Sequence, residues 1–193
     1  MAQQIGLFGQ VERVFADGER GRIAYYPAIF SPAESGELFE LFERTLPWSH
    51  ETMWMYDRTV DVPRLIARFE PDAPRPPELQ HVQQRVEAFL RTAFTSCSVQ
   101  YYRNGNDSVA WHNDHREELV EMPSVALVSL GAAREMQIRS KQRPRTSFSC
   151  DLEAGSLLVM SGRAQEFWEH TIPKTSRPVG ARISIALRQR RSA

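Results

Sequence analysis

The sharpest pattern in the chain is a strict alternation near its end. Across residues 182–188, Ile183, Ile185 and Leu187 fall on one face while Arg182, Ser184, Ala186 and Arg188 fall on the other. This pattern predicts a strand that carries two arginines on a single face. From Cys97 onward, short runs of similar character recur between turn signals, at 98–103, 108–113, 125–130, 135–139, 146–152, 156–161 and 166–171. The first half reads differently. Ser31 can cap a helix, Pro32 suits its first position and Glu34 completes a capping box. Leu38, Phe39, Leu41, Phe42 and Leu46 follow at helical spacing up to Pro47. A second helix is predicted over 78–93, with Leu79, Val82, Val86, Phe89 and Leu90 as its apolar face. Between the helices, 62–69 reads as extended, and Pro71, Pro74, Pro76 and Pro77 interrupt regular structure. Before them, residues 1–30 hold short β-like pieces such as 22–26.

These elements add up to an α+β, mainly β fold: a jelly-roll core, or double-stranded β-helix, buttressed by two helices from the N-terminal half. The 193 residues are expected to form one domain, with 1–96 as an N-terminal extension and 97–189 as the core.

Composition narrows the picture only slightly. With 41% hydrophobic and 25% charged residues the chain reads as soluble and globular. Its formal net charge is zero, so any polyanion must be met by a local basic patch. No apolar run is long enough for a membrane span and no secretory leader is visible, which predicts a cytoplasmic protein. Cys97 and Cys150 are expected as buried thiols, and a monomer is expected.

The chemistry gathers around Trp111-His112-Asn113-Asp114. His112 and Asp114 are two apart, so on a strand both point to the same side. His170 arrives from a different predicted strand. Two imidazoles and a carboxylate leave coordination positions open, the arrangement of non-haem Fe(II) oxygenases rather than of closed structural zinc sites. The inward arginines, Arg182 and Arg188, need a buried anion, and their Cα atoms should lie roughly 20 Å apart along the strand. A dianion such as 2-oxoglutarate, gripped by planar guanidinium forks, would satisfy both. Tyr102 and Gln100 share a face of another strand and can add hydrogen bonds.

At these residues the sequence resembles the AlkB family of Fe(II)/2-oxoglutarate dioxygenases. The resemblance covers roughly residues 62–188. It rests on Pro63-Arg64-Leu65, Tyr102-Arg103-Asn104-Gly105 with Asp107-Ser108, Trp111 to Asp114, Leu130-Gly131-Ala132 and Arg134-Glu135-Met136. It continues through Gly155 to Met160, Trp168-Glu169-His170 with Pro173, and Arg182 to Arg188. The resemblance implies that His112, Asp114 and His170 bind Fe(II). Arg182, aided by Tyr102, would take the far carboxylate of 2-oxoglutarate, and Arg188 would lie beside its iron-chelating end. With O2, the implied activity is oxidative demethylation of N-alkylated bases in DNA or RNA, releasing formaldehyde, succinate and CO2. A base inside a duplex would have to be flipped out.

The departures from the family fall on recognition. Gln100 and Ser184 stand where nucleic-acid-repairing members carry Asn, and His115 stands where an acidic residue is frequent. The family's lid tyrosines are absent and Arg68 replaces an aromatic residue, so Arg68 and His115 become candidates for the substrate mouth. Arg139, Lys141, Arg143 and Arg145 are read as a basic hairpin loop suited to phosphate contact. Trp48, Trp54 and Tyr56 could stack on a base but are more commonly core. Two alternatives remain: the same chemistry on a protein or small molecule, and a non-catalytic, cupin-like metal-binding barrel.

Overall fold

The computed structural model describes residues 11–55, 57–69 and 75–191. Two helices lie outside a sandwich of two sheets. The larger sheet takes strands from both halves of the chain: β1 (Arg13–Ala16), β2 (Arg22–Tyr26), β3 (Ser49–Met55), β4 (Arg58–Arg68) and β5 (Ser96–Tyr102) from the first. The second half contributes β7 (Ser124–Gly131), β10 (Leu157–Ser161) and β12 (Arg182–Arg188). Their order is β1-β2-β10-β7-β12-β5-β4-β3. The smaller sheet consists of β6 (Val109–His112), β8 (Arg134–Ser140), β9 (Ser147–Leu152) and β11 (Trp168–Ile172), in the order β6-β11-β8-β9. This is the expected mainly-β jelly roll, with N-terminal strands extending both edges of the larger sheet.

Helix α1 (Pro32–Thr45) forms as its capping box dictates: Glu34 donates its N–H to Ser31 Oγ at 3.2 Å, and Ser31 N–H returns to Glu34 Oε2 at 2.9 Å. Helix α2 (Pro77–Leu90) stops three residues before the expected Ala93 because Arg91 turns left-handed, with φ of 51°. Both helices pack on one face of the larger sheet. Phe42, Leu79, Val82 and Val86 meet Ala67, Val99, Val128, Ile183, Ile185 and Leu187 in one core. The other face of the same sheet meets the smaller one through Leu127, Met136, Ile138, Leu158, Trp168 and Ala186. Strand β12 is therefore buried on both faces, and its alternation sorts apolar residues toward the helices and polar ones toward the gap between sheets.

Several expectations are corrected. The 49–55 segment is a strand paired to β4, and it escaped pattern reading because Trp and Met follow polar residues without clean alternation. A four-residue helix, α3 (Ala164–Phe167), precedes β11, so that strand begins at Trp168. Arg139 lies inside β8 rather than in the turn after it. Trp48 packs against the first core and stacks on Tyr101 at 5.2 Å, so it is structural. Tyr56, the Trp54 side chain, Pro71 and Pro74 lie outside the described residues. No helix among the described residues is long and apolar enough to cross a membrane.

Candidate active site

Antiparallel pairing of β6 with β11 sets His112 directly opposite His170, and their rings stand 4.3 Å apart. His112 Nδ1 lies 2.8 Å from the Ala110 carbonyl, a contact that needs the proton on Nδ1 and leaves Nε2 with a free lone pair. Burial depresses the pKa of His112, and burial with His112 beside it pushes His170 down to about 3. Both imidazoles are therefore neutral near pH 7, the form that binds metals.

Asp114 reaches the same place by another route. β6 ends at His112, so strand alternation does not position Asp114 as the sequence suggested. Its backbone N–H is instead held by Gln165 Oε1 at 2.9 Å. Burial alone would raise its carboxyl, but the Arg188 guanidinium holds it below the usual carboxylate range. Arg188 Nε donates to Asp114 Oδ1 at 2.8 Å, and its Nη1 donates to Ser98 Oγ at 2.9 Å. Among the described residues no group of three His, Cys, Asp or Glu side chains already stands closed around a metal position. Two neutral nitrogens and one ionised carboxylate on facing elements nonetheless form a donor set that fits divalent iron with positions left open.

Arg182 is the largest fully buried side chain, with 0% exposure. Its Nη2 donates to Ser129 Oγ at 2.9 Å and to Ser184 Oγ at 3.3 Å, and its guanidinium stands 5.3 Å over the Tyr102 ring. Among the described residues, its Nε and Nη1 are buried with no hydrogen-bond partner. Burial pushes this arginine down to about 10. An interior cation with two unmet donors is suited to receive an anion. Register accounts for the grouping: on β12, Arg182 faces Tyr102 and Ser184 faces both Gln100 and Ser129. Gln100, however, donates to Ser98 Oγ at 2.9 Å rather than toward Arg182.

The other motif residues have structural work. Arg134, 3% exposed, donates to the carbonyls of Asn104, Asp107 and Pro173, tying two loops together. Asp107 accepts from Arg103 N, Nε and Nη2, each at 2.8 Å. A Cβ at Gly105 would meet the Thr175 carbonyl at 2.4 Å, so that loop admits only glycine.

The predicted substrate residues divide. His115 is exposed and lies 3.1 Å from Glu117. Arg68 is exposed and bound to Glu51 through two nitrogens. Arg139 pairs with Glu169 at 2.6 Å and lies 3.9 Å over the Trp111 ring, so its charge is already matched. Lys141 reaches Asn113 Oδ1 at 3.4 Å and the Gln165 carbonyl at 3.3 Å. Arg143 and Arg145 are exposed, and among the described residues neither has an ion pair. Sequence reasoning missed Gln165, Ser98 and Ser129, which carry no motif or period.

A model of the "2OG-Fe(II) oxygenase superfamily" matches residues 22–188. The chain belongs to that superfamily. Among curated relatives it is similar to the human alpha-ketoglutarate-dependent dioxygenase alkB homolog 3, 29% identical over 187 residues, covering 86% of this chain and 65% of the human protein. It is also similar to the DNA oxidative demethylase ALKBH2 of Arabidopsis thaliana, 22% identical over 89% of this chain and 67% of that protein. Among solved structures, a prolyl hydroxylase from Trichoplax adhaerens overlays with a TM-score of 0.64 at 14% identity, covering 88% of this chain and 83% of that one. That likeness bears on the fold of the superfamily alone.

Proposed function

We propose that this chain is an AlkB-type Fe(II)/2-oxoglutarate dioxygenase that demethylates N-alkylated bases of DNA or RNA oxidatively. The observation that carries the reading is the occurrence together of the His112–Asp114–His170 trio and a buried Arg182 whose Nε and Nη1 have no hydrogen-bond partner among the described residues. In this reading, His112 Nε2, His170 and Asp114 hold the metal. Arg182, with Tyr102 and Ser184 around it, takes the distal carboxylate of 2-oxoglutarate in a charge-assisted pair. Arg188 fixes Asp114 by its free oxygen and keeps the carboxylate ionised. Burial of His170 and of Arg182 limits the access of water to the reaction. When bound with 2-oxoglutarate and O2, iron supplies the oxidation of an N-methyl to an N-hydroxymethyl group, which releases formaldehyde; the cosubstrate leaves as succinate and CO2.

The nucleic-acid substrate is supported by the turn between β8 and β9. Arg143 and Arg145 are exposed there, while Lys141 abuts Asn113 beside the trio. Phosphate contacts at that lip would bring a base toward His112.

The test is mass spectrometry of DNA and RNA oligomers carrying 1-methyladenine or 3-methylcytosine, incubated with the protein, Fe(II), ascorbate and 2-oxoglutarate. Loss of one methylene mass with wild type but not with His112→Ala is the expected result. Succinate formed over intact oligomers would move the substrate to a protein or small molecule. No succinate at all would leave a binding barrel without turnover.

A further inference from the structure

Gln165 lies on α3, five residues before His170, and its side chain is 2% exposed. Its Oε1 accepts the Asp114 N–H at 2.9 Å, while among the described residues its Nε2 meets only a thioether, Met160 Sδ, at 3.6 Å. Burying an amide whose NH2 group has so weak an acceptor is costly, and Met or Leu would fill the same space without that cost. Its advantage over those residues is geometric. β6 ends at His112, so no strand ladder fixes Asp114, and the Gln165 oxygen anchors that residue to the segment that leads into His170. The backbone of Gln165 adds a second link. Its carbonyl accepts from Lys141 Nζ, which also reaches Asn113 Oδ1, so Gln165 and Lys141 together brace the Asn113-Asp114 pair.

We propose that Gln165 is a positioning residue that sets where the Asp114 carboxylate stands relative to His170, and so sets the affinity of the trio for a divalent metal. The inference rests on the metal-site reading given above. It concerns binding, so its test needs no turnover.

The measurement is the dissociation constant for Mn(II), read from the free-ion signal in electron paramagnetic resonance, with melting of the metal-free protein alongside. Gln165→Met keeps the volume and removes the acceptor. Its Mn(II) affinity should fall about 10–100-fold, the usual loss when a group that orients a ligand is removed. Its metal-free melting temperature should change only modestly, because the buried Asp114 N–H loses its acceptor while a poorly partnered amide leaves the interior. Gln165→Glu, whose carboxyl oxygen can take the same N–H, should recover most of the affinity. Lys141→Met provides a surface variant that folds independently of core packing and should also weaken Mn(II) binding. A residue that merely fills space predicts the opposite pattern, a lower melting temperature with wild-type affinity, and that result overturns the proposal. Unchanged affinity in both Gln165→Met and Lys141→Met overturns it as well. Wild-type binding no tighter than that of His112→Ala would instead overturn the metal-site reading, and this proposal with it.

Discussion

Replacing Arg182 with methionine should leave the ligand-free protein as stable as wild type or more stable, which is unusual for a fully buried residue. Large buried side chains normally stabilise through the area they cover, and truncating one costs about 2–5 kcal/mol. Arg182 differs because two of its nitrogens have no hydrogen-bond partner among the described residues and burial pushes it down to about 10. That depression corresponds to about 3 kcal/mol against the charged form in the interior. Methionine is close in length and carries no charge, and Ser129 and Ser184 remain cross-strand neighbours. The net change is therefore expected between zero and about 3 kcal/mol of stabilisation, as in other exchanges of incompletely paired buried ions for apolar groups. The bound state should reverse the order. A ligand at one hundred times its dissociation constant stabilises by about 2.7 kcal/mol, roughly 5–10 °C in melting temperature for a chain of this size. Melting would be followed by fluorescence without oxygen, with Mn(II) present, and with and without 2-oxoglutarate. Wild type should gain the full shift and Arg182→Met none. A ligand-free variant destabilised by more than about 1 kcal/mol, or one that keeps the 2-oxoglutarate shift, would refute the reasoning.

Other consequences can be measured directly. Burial alone would raise the Asp107 carboxyl, but Arg103, through three hydrogen bonds, and Arg134 hold it below the usual range. A depressed folded pKa contributes stability that is present above about pH 4 and lost as pH falls through the folded value. Asp107→Asn should remove roughly 1–2 kcal/mol at neutral pH, Arg103 being partly exposed, and flatten the acid limb in urea unfolding; an unaltered limb would discount this pair. Burial pushes the Cys97 thiol up to about 11 and that of Cys150 up to about 12. Iodoacetamide at pH 8 should therefore modify neither in the folded protein and both in urea, and labelling of the native chain would contradict the burial. Changing Arg143 and Arg145 to serine should lower the slope of log binding constant against log salt by about 2 for duplex DNA; an unchanged slope would remove that turn from the interface.

The parts of this molecule that were legible in its sequence are those with a period or a cap. The two-residue period of 182–188 predicted a strand with arginines on one face, and Ser31-Pro32-Ala33-Glu34 predicted a helix start; both follow from local geometry. The partnership of Arg188 with Asp114 was not legible. The two residues lie 74 positions apart, and only β12 crossing near the end of β6 brings them together. Gln165 was hidden for a related reason: a four-residue helix has no period to read, and the role of its side chain depends on a loop 51 residues upstream. Arg139 misled in the opposite direction. Its place in a basic run suggested a phosphate contact, whereas cross-strand register sets it against Glu169.

The two halves of the site are built to very different firmness. β12 lies in the middle of eight strands and is paired along its whole length on both sides, while β6 has four residues at a sheet edge and an irregular pairing with β11. In hydrogen-exchange terms, β12 amides are released only by global opening, and those around His112 by local fraying. Under chelation or mild heating, then, the strand carrying His112 loosens first, while the pocket around Arg182 keeps its shape. Under the proposed function, a protein stripped of its metal in this way would retain its receptor for the dicarboxylate and could be reloaded without refolding.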